Sequence, residues 1–295
     1  MKKNSENQKL AFSLIEISVV ILIIGILISG ISSGIDLYND FNLSKAKNLT
    51  KNSRVNRIAG LELWLETTLD ESIKSSQKIQ NANITDWLDI NIQNNQKKST
   101  SQSIVAQQPK YILQAFSNSI PALRFDGVND NFPLDVAFMN KASFTIFAVE
   151  QRRSDTNHIY FFGGGSNGVF HMGYATTTLA RSGQYGSADV NFFDYTIKSF
   201  KTTEIIPRIH SFILSTTNGK KYWLNGGTNP DKSSNDLSTL TNFSGYVGVT
   251  EYGSGTAHFY SGDIAEIIIF SRELNDKERI DIEKYLSNKF NIPLS

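Results

Sequence analysis

The sequence predicts a mainly β protein, in which a long N-terminal transmembrane α-helix precedes an antiparallel β-sandwich that ends with a short C-terminal helix. Three observations support this fold class. Residues 12–35 are predominantly apolar with one glutamate as their only charged residue, and they match the roughly 20 residues that cross a bilayer. Beyond residue 60, short β-branched and aromatic runs alternate with Gly, Asn and Ser clusters. Residues 275–290 return to helical spacing.

The charge and the composition exclude several classes of function. The 295 residues include 29 basic and 28 acidic ones, and the net charge of +1 argues against a nucleic-acid-binding protein. Cysteine is absent, which excludes disulfides, thiolate metal sites and cysteine nucleophiles. We therefore expect a domain that is held together by its core alone.

The N-terminal segment places a polar leader, residues 1–11, directly before the apolar run. Glu16 lies within that run, where a carboxylate costs about 2.5–3.5 kcal/mol on insertion scales, so it predicts a bound cation. Cleavage between Ala11 and Phe12 would supply that cation as the new α-amine of Phe12. The amine would belong to the same chain or to a neighbouring one, and pairing between chains would drive assembly.

The stretch Ala11-Phe12-Ser13-Leu14-Ile15-Glu16 resembles the N-terminal motif of type IV pilins and pseudopilins, with alanine where that family usually has glycine. The resemblance implies that a prepilin peptidase cleaves between Ala11 and Phe12 and N-methylates Phe12. It also implies that Glu16 acts in assembly with other pilin-like subunits. The implied location is the bacterial cytoplasmic membrane, with one span and an extracytoplasmic C-terminal domain, or a filament at the cell surface. A plain single-span anchor is the alternative.

Small residues recur within the apolar run, which contains Gly25, Gly30 and Gly34. Gly30 and Gly34 are four residues apart, as are Ser29 and Ser33, and this spacing of small residues lets membrane helices approach closely. The alternative is that glycine is simply frequent in membrane helices.

We expect the helix to continue as a spine to residue 57, so that the chain divides into a leader (1–11), a helix (12–57) and a domain (58–295).

The domain sequence is typical of strands and turns. Alternation at residues 61–66 indicates a first strand, and Asn218-Gly219 is a strong signal for a two-residue hairpin turn. Asn275 and Glu278 form a capping-box pattern at the start of the C-terminal helix. Residues 91–108 are polar and low in complexity, which predicts an exposed loop. Further strands are expected at residues 84–90, 121–127, 143–153, 158–164, 210–216, 220–226, 244–250 and 262–274.

Several of these runs together resemble the concanavalin-like (laminin G-like) jelly-roll domains of bacterial surface proteins, over nearly all of residues 61–290. The resemblance implies a jelly roll that serves adhesion, through a surface glycan or a protein ligand. It depends on Gly60-Leu61-x-Leu63-Trp64-Leu65, Ile84-x-x-Trp87-x-Asp89, Gln108-Pro109-x-Tyr111, Pro121-Ala122-Leu123-Arg124-Phe125-Asp126-Gly127, Gly262-Asp263-Ile264-Ala265-Glu266 and Glu283-x-Tyr285-Leu286.

Catalytic patterns are weak in this sequence. Some jelly-roll relatives hydrolyse glycosides with an E-x-D-x-x-E run, which is absent, and capping explains the nearest carboxylate cluster, residues 273–278. The glycine run 163–166 lacks the context of a phosphate loop. The histidines lack metal-ligand spacing and are expected to be structural; they are His158, His171, His210 and His258. The sequence therefore predicts a protein that is not an enzyme, with a membrane-tethered carbohydrate-active enzyme as the alternative.

Two ligand hypotheses remain. Asp126, Asn129 and Asp130 supply hard oxygens over five residues, which suits calcium, but the same residues form turns well, and we favour the turn. No other cofactor is predicted. Aromatic rings could stack on sugars, and the candidates are Tyr174, Tyr185, Tyr222 and Tyr252. Because most aromatic residues of a sandwich lie in its core, no ligand-binding residue is assigned.

These observations together predict a pilin-like subunit, either a minor pilin or a pseudopilin, of a type IV pilus or of a type II secretion-like filament. The size of the displayed domain favours a minor or tip-located subunit. The sequence does not separate the pilus from the secretion filament.

Overall fold

The computed structural model describes residues 13–117, 119–164, 170–184, 191–252 and 256–295. The chain forms two compact units, one up to Asn42 and one from Leu43 to Ser295. Ala11 and Phe12, the predicted cleavage site, lie outside the described residues, as do the side chains of Tyr185 and Tyr252.

Helix α1 spans Leu14–Asn52. Residues 13–38 are all exposed, and within the described part of the chain this is the single helix that is long and apolar enough to cross a membrane. The predicted N-terminal apolar helix is confirmed. It ends before residue 57 because Val55 and Ile58 are buried in the core of the second unit, and a 3₁₀ turn at Val55–Arg57 brings them there.

The strands follow in chain order, and the chain ends with helix α2 (Asp276–Phe290). They are β1 (Leu61–Glu66), β2 (Asp86–Trp87), β3 (Thr100–Ser101), β4 (Lys110–Phe116), β5 (Ile120–Asp126), β6 (Phe132–Leu134), β7 (Phe144–Arg152), β8 (Ile159–Gly164), β9 (Phe170–Thr176), β10 (Leu179–Gln184), β11 (Asn191–Thr196), β12 (Pro207–Ser215), β13 (Gly219–Leu224), β14 (Lys232–Ser234), β15 (Gly245–Val247), β16 (Val249–Tyr252), β17 (Thr256–Phe259) and β18 (Ser261–Phe270).

Two antiparallel sheets form the second unit. The larger has the order β14-β13-β12-β7-β18-β5-β4, and β1 pairs with β18 beyond the end of β5. The smaller has the order β11-β10-β9-β8-β15-β6. The short ribbons β16-β17 and β2-β3 complete the described strands. The predicted fold class, an apolar helix followed by an antiparallel β-sandwich and a short helix, is confirmed.

The larger sheet is covered on both faces. Its inner face and the smaller sheet enclose one core, which includes Phe144, Phe170 and Phe212. Its outer face packs against α2 and the end of α1 through a second core, which includes Ala46 and Phe290. Because both faces of β7 are covered, all nine of its residues are buried.

Local predictions have mixed outcomes. The strand at residues 61–66 is confirmed, and so is the capping box of α2, in which Asn275 Oδ1 accepts from Glu278 N at 3.0 Å and Glu278 Oε2 accepts from Asn275 N at 3.1 Å. The hairpin joining β12 and β13 is present, but the prediction of a two-residue turn is wrong. Ser215 pairs with Gly219, so three residues connect the strands, and Gly219 adopts a φ of 78°.

Candidate functional site

The N-terminus of α1 is closed by a capping box. Ser13 Oγ accepts from the backbone N–H of Glu16 at 3.2 Å, and Glu16 Oε2 accepts from the backbone N–H of Ser13 at 2.7 Å. This pattern satisfies two donors that a helix end leaves unpaired. The Glu16 carboxylate therefore has a partner within its own chain. Its pairing with the Phe12 amine stays a prediction.

The predicted packing glycines lie on an open helix surface. A Cβ built on Gly25, Gly30 or Gly34 would meet nothing within 4 Å. Each position is therefore accessible to another helix, and their role in helix packing stays a prediction.

A buried ion cluster lies between the outer face of the larger sheet and α2. Lys289 Nζ donates to Glu66 Oε2 at 3.0 Å and to Glu266 Oε2 at 2.8 Å, and all three side chains are fully buried. Glu66 and Glu266 face each other in the β1–β18 register. Tyr285 donates to Glu266 Oε1 at 2.7 Å and lies 3.1 Å from the hydroxyl of Thr50 on α1. The cluster thus joins α1, two strands and α2.

The environment moves the pKa values of the two glutamates in opposite directions. Burial raises the pKa of Glu266 above its ordinary value, and the neighbouring Glu66 adds to the effect. Burial also opposes ionisation of Glu66, but Lys289 and hydrogen bonds from the 68–69 segment outweigh it and lower the pKa of Glu66. The cluster therefore holds its charges unequally, with Glu66 as the more strongly ionised carboxylate.

The predicted calcium ligands lie in a tight turn after β5. Asp126 Oδ1 accepts from the backbone N–H groups of Val128, Asn129 and Asp130 at 2.8, 3.2 and 3.4 Å, and Asp130 Oδ2 accepts from Asp126 N at 2.9 Å. Among the described residues, no three His, Asp or Glu side chains are grouped as ligands of a metal ion. These bonds are those of the favoured turn, and calcium binding stays the alternative hypothesis.

A row of polar side chains crosses the outer face of the larger sheet near the same turn. Lys110 lies opposite Arg124, Arg124 opposite Asp263, and Asp263 opposite Gln151, on four neighbouring strands. The buried Asp263 carboxylate accepts from Arg124 Nε at 2.6 Å and Nη2 at 3.0 Å, and from Gln151 Nε2 at 2.7 Å. Arg153 Nε, just beyond β7, donates to the same carboxylate at 2.6 Å.

Three of these side chains, Lys110, Arg124 and Arg153, line a surface pocket of about 560 Å³ together with Asp126 and Asp130. Arg124 and Arg153 remain about one-third exposed, at 34% and 32% of their side-chain surface. Val105, from the segment that the sequence predicts as an exposed loop, is 65% exposed at the rim. Burial, together with the carboxylate of Asp126, raises the pKa of Asp130 to about 6. The pocket therefore combines fixed cations with a carboxyl group that titrates near neutral pH.

Sequence reasoning missed this pocket. Arg124 and Asp263 are 139 residues apart in the chain, and no motif joins them. Only the strand register places them side by side. The sole signal in the sequence was the charge of Arg124 and Asp126 at the end of a run that otherwise predicts a buried strand.

Two of the four candidate sugar-stacking tyrosines can be placed. Tyr174 and Tyr222 are fully buried between the sheets, where most aromatic residues of a sandwich were expected. Tyr174 donates to Glu150, and Tyr222 lies 2.8 Å from Nδ1 of His210. His210 Nε2 in turn lies 2.9 Å from Glu150 Oε1. Tyr174 thus bonds the buried carboxylate of Glu150 directly, and Tyr222 is connected to it through His210.

The other histidines lie around the outer face of β8. The ring centroids of His158 and His258 are 5.6 Å apart, and those of Tyr160 and His171 are 4.1 Å apart. Burial lowers the pKa of His258, and the nearby His158 adds to that effect. Their spacing in the sequence gave no sign of this proximity.

Comparison with known proteins gives fold similarity. No protein-family model and no curated protein matches the sequence. Trypanosoma rangeli sialidase in complex with 2,3-difluoro-KDN matches with a TM-score of 0.51 and 15% identity, over 80% of this chain and 34% of that chain. The same enzyme with 2,3-difluorosialic acid, as the covalent intermediate, matches with a TM-score of 0.51 and 14% identity, over 86% and 39%. Domain 4 of an extracellular arabinanase from Geobacillus stearothermophilus, in complex with arabinotriose, matches with a TM-score of 0.47 and 14% identity, over 76% and 98%.

These similarities correct one prediction. The chain was expected not to be an enzyme, but two solved structures that share its fold are structures of a sialidase, so the fold gives no ground for that exclusion. The chain spans little more than a third of the length of those sialidase structures. At this identity the similarity establishes the β-sandwich and not a reaction.

Proposed function

We propose that this chain is a pilin-like subunit, a minor pilin or pseudopilin, of a type IV pilus or type II secretion-like filament. Residues 1–11 are the leader that a prepilin peptidase removes, residues 12–57 anchor the subunit in the bacterial cytoplasmic membrane, and residues 58–295 form the domain outside it. The observation that carries the proposal is the exposed apolar surface of α1 with one carboxylate at its N-terminal turn. Such a surface requires lipid or other apolar helices around it.

The β-sandwich is the displayed part of the subunit, and its proposed task is to bind a surface glycan or a protein. Support for a glycan comes from the sialidase structures of the same fold, which were solved with sugar-derived ligands. The pocket beside Arg124 and Arg153 supports it further, because it offers hydrogen-bonding groups at an accessible surface.

The direct test of processing is N-terminal and intact-mass analysis of the protein purified from membranes. We expect a chain that begins at N-methylated Phe12. A membrane form that retains residues 1–11 in cells with an active prepilin peptidase would contradict the proposal.

The capping box makes a sharp test of Glu16 practicable. Glu16→Gln keeps a side chain that can complete the capping box but removes the charge. Ser13→Ala removes the reciprocal cap and keeps the charge. We expect both variants to be cleaved, Glu16→Gln to fail to enter filaments, and Ser13→Ala to enter them. Equal incorporation of the two variants would refute a charge-based role of Glu16 in assembly.

A further inference from the structure

We infer that the pocket beside the Arg124–Asp263–Arg153 cluster binds a saccharide that carries a carboxylate group. This assignment rests on the proposed binding role of the β-sandwich and gives that role a place and a ligand class. The pocket lies at the edge of the larger sheet, where β4 and β5 end the strand order.

The two guanidinium groups are held in position and keep free donors. Asp263 is fully buried and accepts from both Arg124 and Arg153, so one carboxylate compensates two cations. Arg153 uses only Nε for this bond, and among the described residues nothing accepts from its two terminal amino groups. That edge of a guanidinium matches a carboxylate with two parallel hydrogen bonds. Holding the group in place lowers the entropic cost of binding.

The remainder of the pocket suits a sugar ring. Asp126 and Asp130 offer carboxyl oxygens, and Lys110 offers a further donor, so hydroxyl groups find both acceptors and donors. Val105 and Ala106 give an apolar wall for C–H groups. The volume of about 560 Å³ lies within the roughly 300–1,000 Å³ usual for small-molecule sites. An acidic peptide fits less well, because its further carboxylates would meet those of the pocket.

The charge balance of the pocket adds a pH dependence. Lys110, Arg124 and Arg153 face Asp126 and Asp130, with Asp263 beneath the two guanidinium groups. When Asp130 takes up a proton near pH 6, its negative charge is neutralised and the net charge of the pocket becomes more positive by one. An acidic saccharide that stays ionised should therefore bind more tightly at pH 5 than at pH 7.5.

The test uses the full-length protein in detergent on an array of uronic-acid-containing, sialylated and neutral saccharides. Calorimetry then compares the best acidic saccharide with its carboxyl-reduced counterpart. We expect Arg153→Gln to weaken binding of the acidic saccharide by about 10- to 100-fold. Lys110→Gln, on an exposed side chain that does not touch Asp263, should weaken it up to about fivefold. Arg54→Gln, on an exposed side chain paired with Asp281, is the matched control and should change nothing.

The outcomes separate this inference from the proposed function. Equal affinity for the acidic and the reduced saccharide, or unchanged binding by both Arg153→Gln and Lys110→Gln, overturns the pocket assignment and leaves the binding role standing. Arg153-dependent binding of a polyglutamate peptide, with no saccharide bound, overturns the saccharide class. The absence of any bound saccharide overturns the proposed glycan-binding role, whereas processing at Phe12 is measured separately.

Discussion

Replacing Lys289 with methionine should strongly destabilise the β-sandwich. The variant leaves Glu66 and Glu266 facing each other, fully buried, without the ammonium that lies 3.0 and 2.8 Å from their oxygens. Removing one partner of a buried ion pair costs about 3–5 kcal/mol. That cost is a large share of the roughly 5–15 kcal/mol by which domains are stable.

Urea unfolding of the full-length protein in detergent, followed by tryptophan fluorescence, measures this loss. All three tryptophans are buried in the β-sandwich unit, so the signal reports its unfolding. Lys284→Met, on an exposed residue of the same helix, is the control and should stay within about 0.5 kcal/mol of the wild type. If Lys289→Met and Lys284→Met have equal free energies of unfolding, the ion cluster does not stabilise the fold.

The pH dependence provides a second readout of the same cluster. The pKa of Glu266 is raised in the folded state, so the stability contributed by its bound proton is lost as the pH rises through that pKa. The pKa of Glu66 is lowered, so its contribution has the opposite sign and is lost as the pH falls. Without Lys289 both carboxyl groups should bind protons more readily. The destabilisation by Lys289→Met should therefore shrink between pH 7 and pH 5.

Three further predictions test other parts of the structure. The pKa of Asp130 is raised to about 6, so the stability contributed by its proton is lost as the pH rises from the ordinary aspartate value through 6. Asp130→Asn should make the unfolding temperature depend less on pH, whereas Asp155→Asn, at an exposed site, should leave that dependence unchanged. If the unfolding temperatures of the two variants depend equally on pH, the raised pKa is not that of Asp130. Gly219→Ala should lower the free energy of unfolding by more than about 1 kcal/mol, because Gly219 has a φ of 78° and an added Cβ would lie 2.0 Å from a backbone oxygen of β14. An unchanged midpoint of urea unfolding would contradict this prediction. Gly30→Leu should reduce filament incorporation while membrane insertion persists, Ile28→Leu should leave both unchanged, and normal incorporation of Gly30→Leu would exclude helix packing at this glycine.

Features set by neighbouring residues could be predicted from the sequence. The alternation at residues 61–66 gave β1, and Asn275 with Glu278 gave the start of α2, because each pattern depends on residues within one turn or one strand. The same capping pattern occurs at Ser13 and Glu16, but in the sequence the Glu16 carboxylate was interpreted only as the partner of a cation, the Phe12 amine. A local signal was therefore present and was assigned to a different role.

The binding pocket and the ion cluster could not be predicted in this way. Glu66 and Lys289 are 223 residues apart, and Arg124 and Asp263 are 139 residues apart. Their proximity follows from strand order and register, which depend on the packing of the whole sandwich. The position of Tyr174 could not be predicted for the same reason. A tyrosine side chain suits either a core or a binding surface, and here its hydroxyl bonds the buried carboxylate of Glu150.

A bulge in β18 brings the two charged sites onto one face of the larger sheet. Asp263 and Glu266 are three residues apart, and in a regular strand their side chains would point to opposite faces. The register between β18 and β7 shifts between Ile264 and Glu266, which adds one residue and turns Glu266 to the outer face. Asp263 can then anchor the guanidinium groups of the pocket while Glu266 anchors Lys289 and, through Tyr285, Thr50 on α1. One strand thus carries both the anchor of the proposed ligand site and the carboxylate that is connected, through Tyr285, to the end of α1.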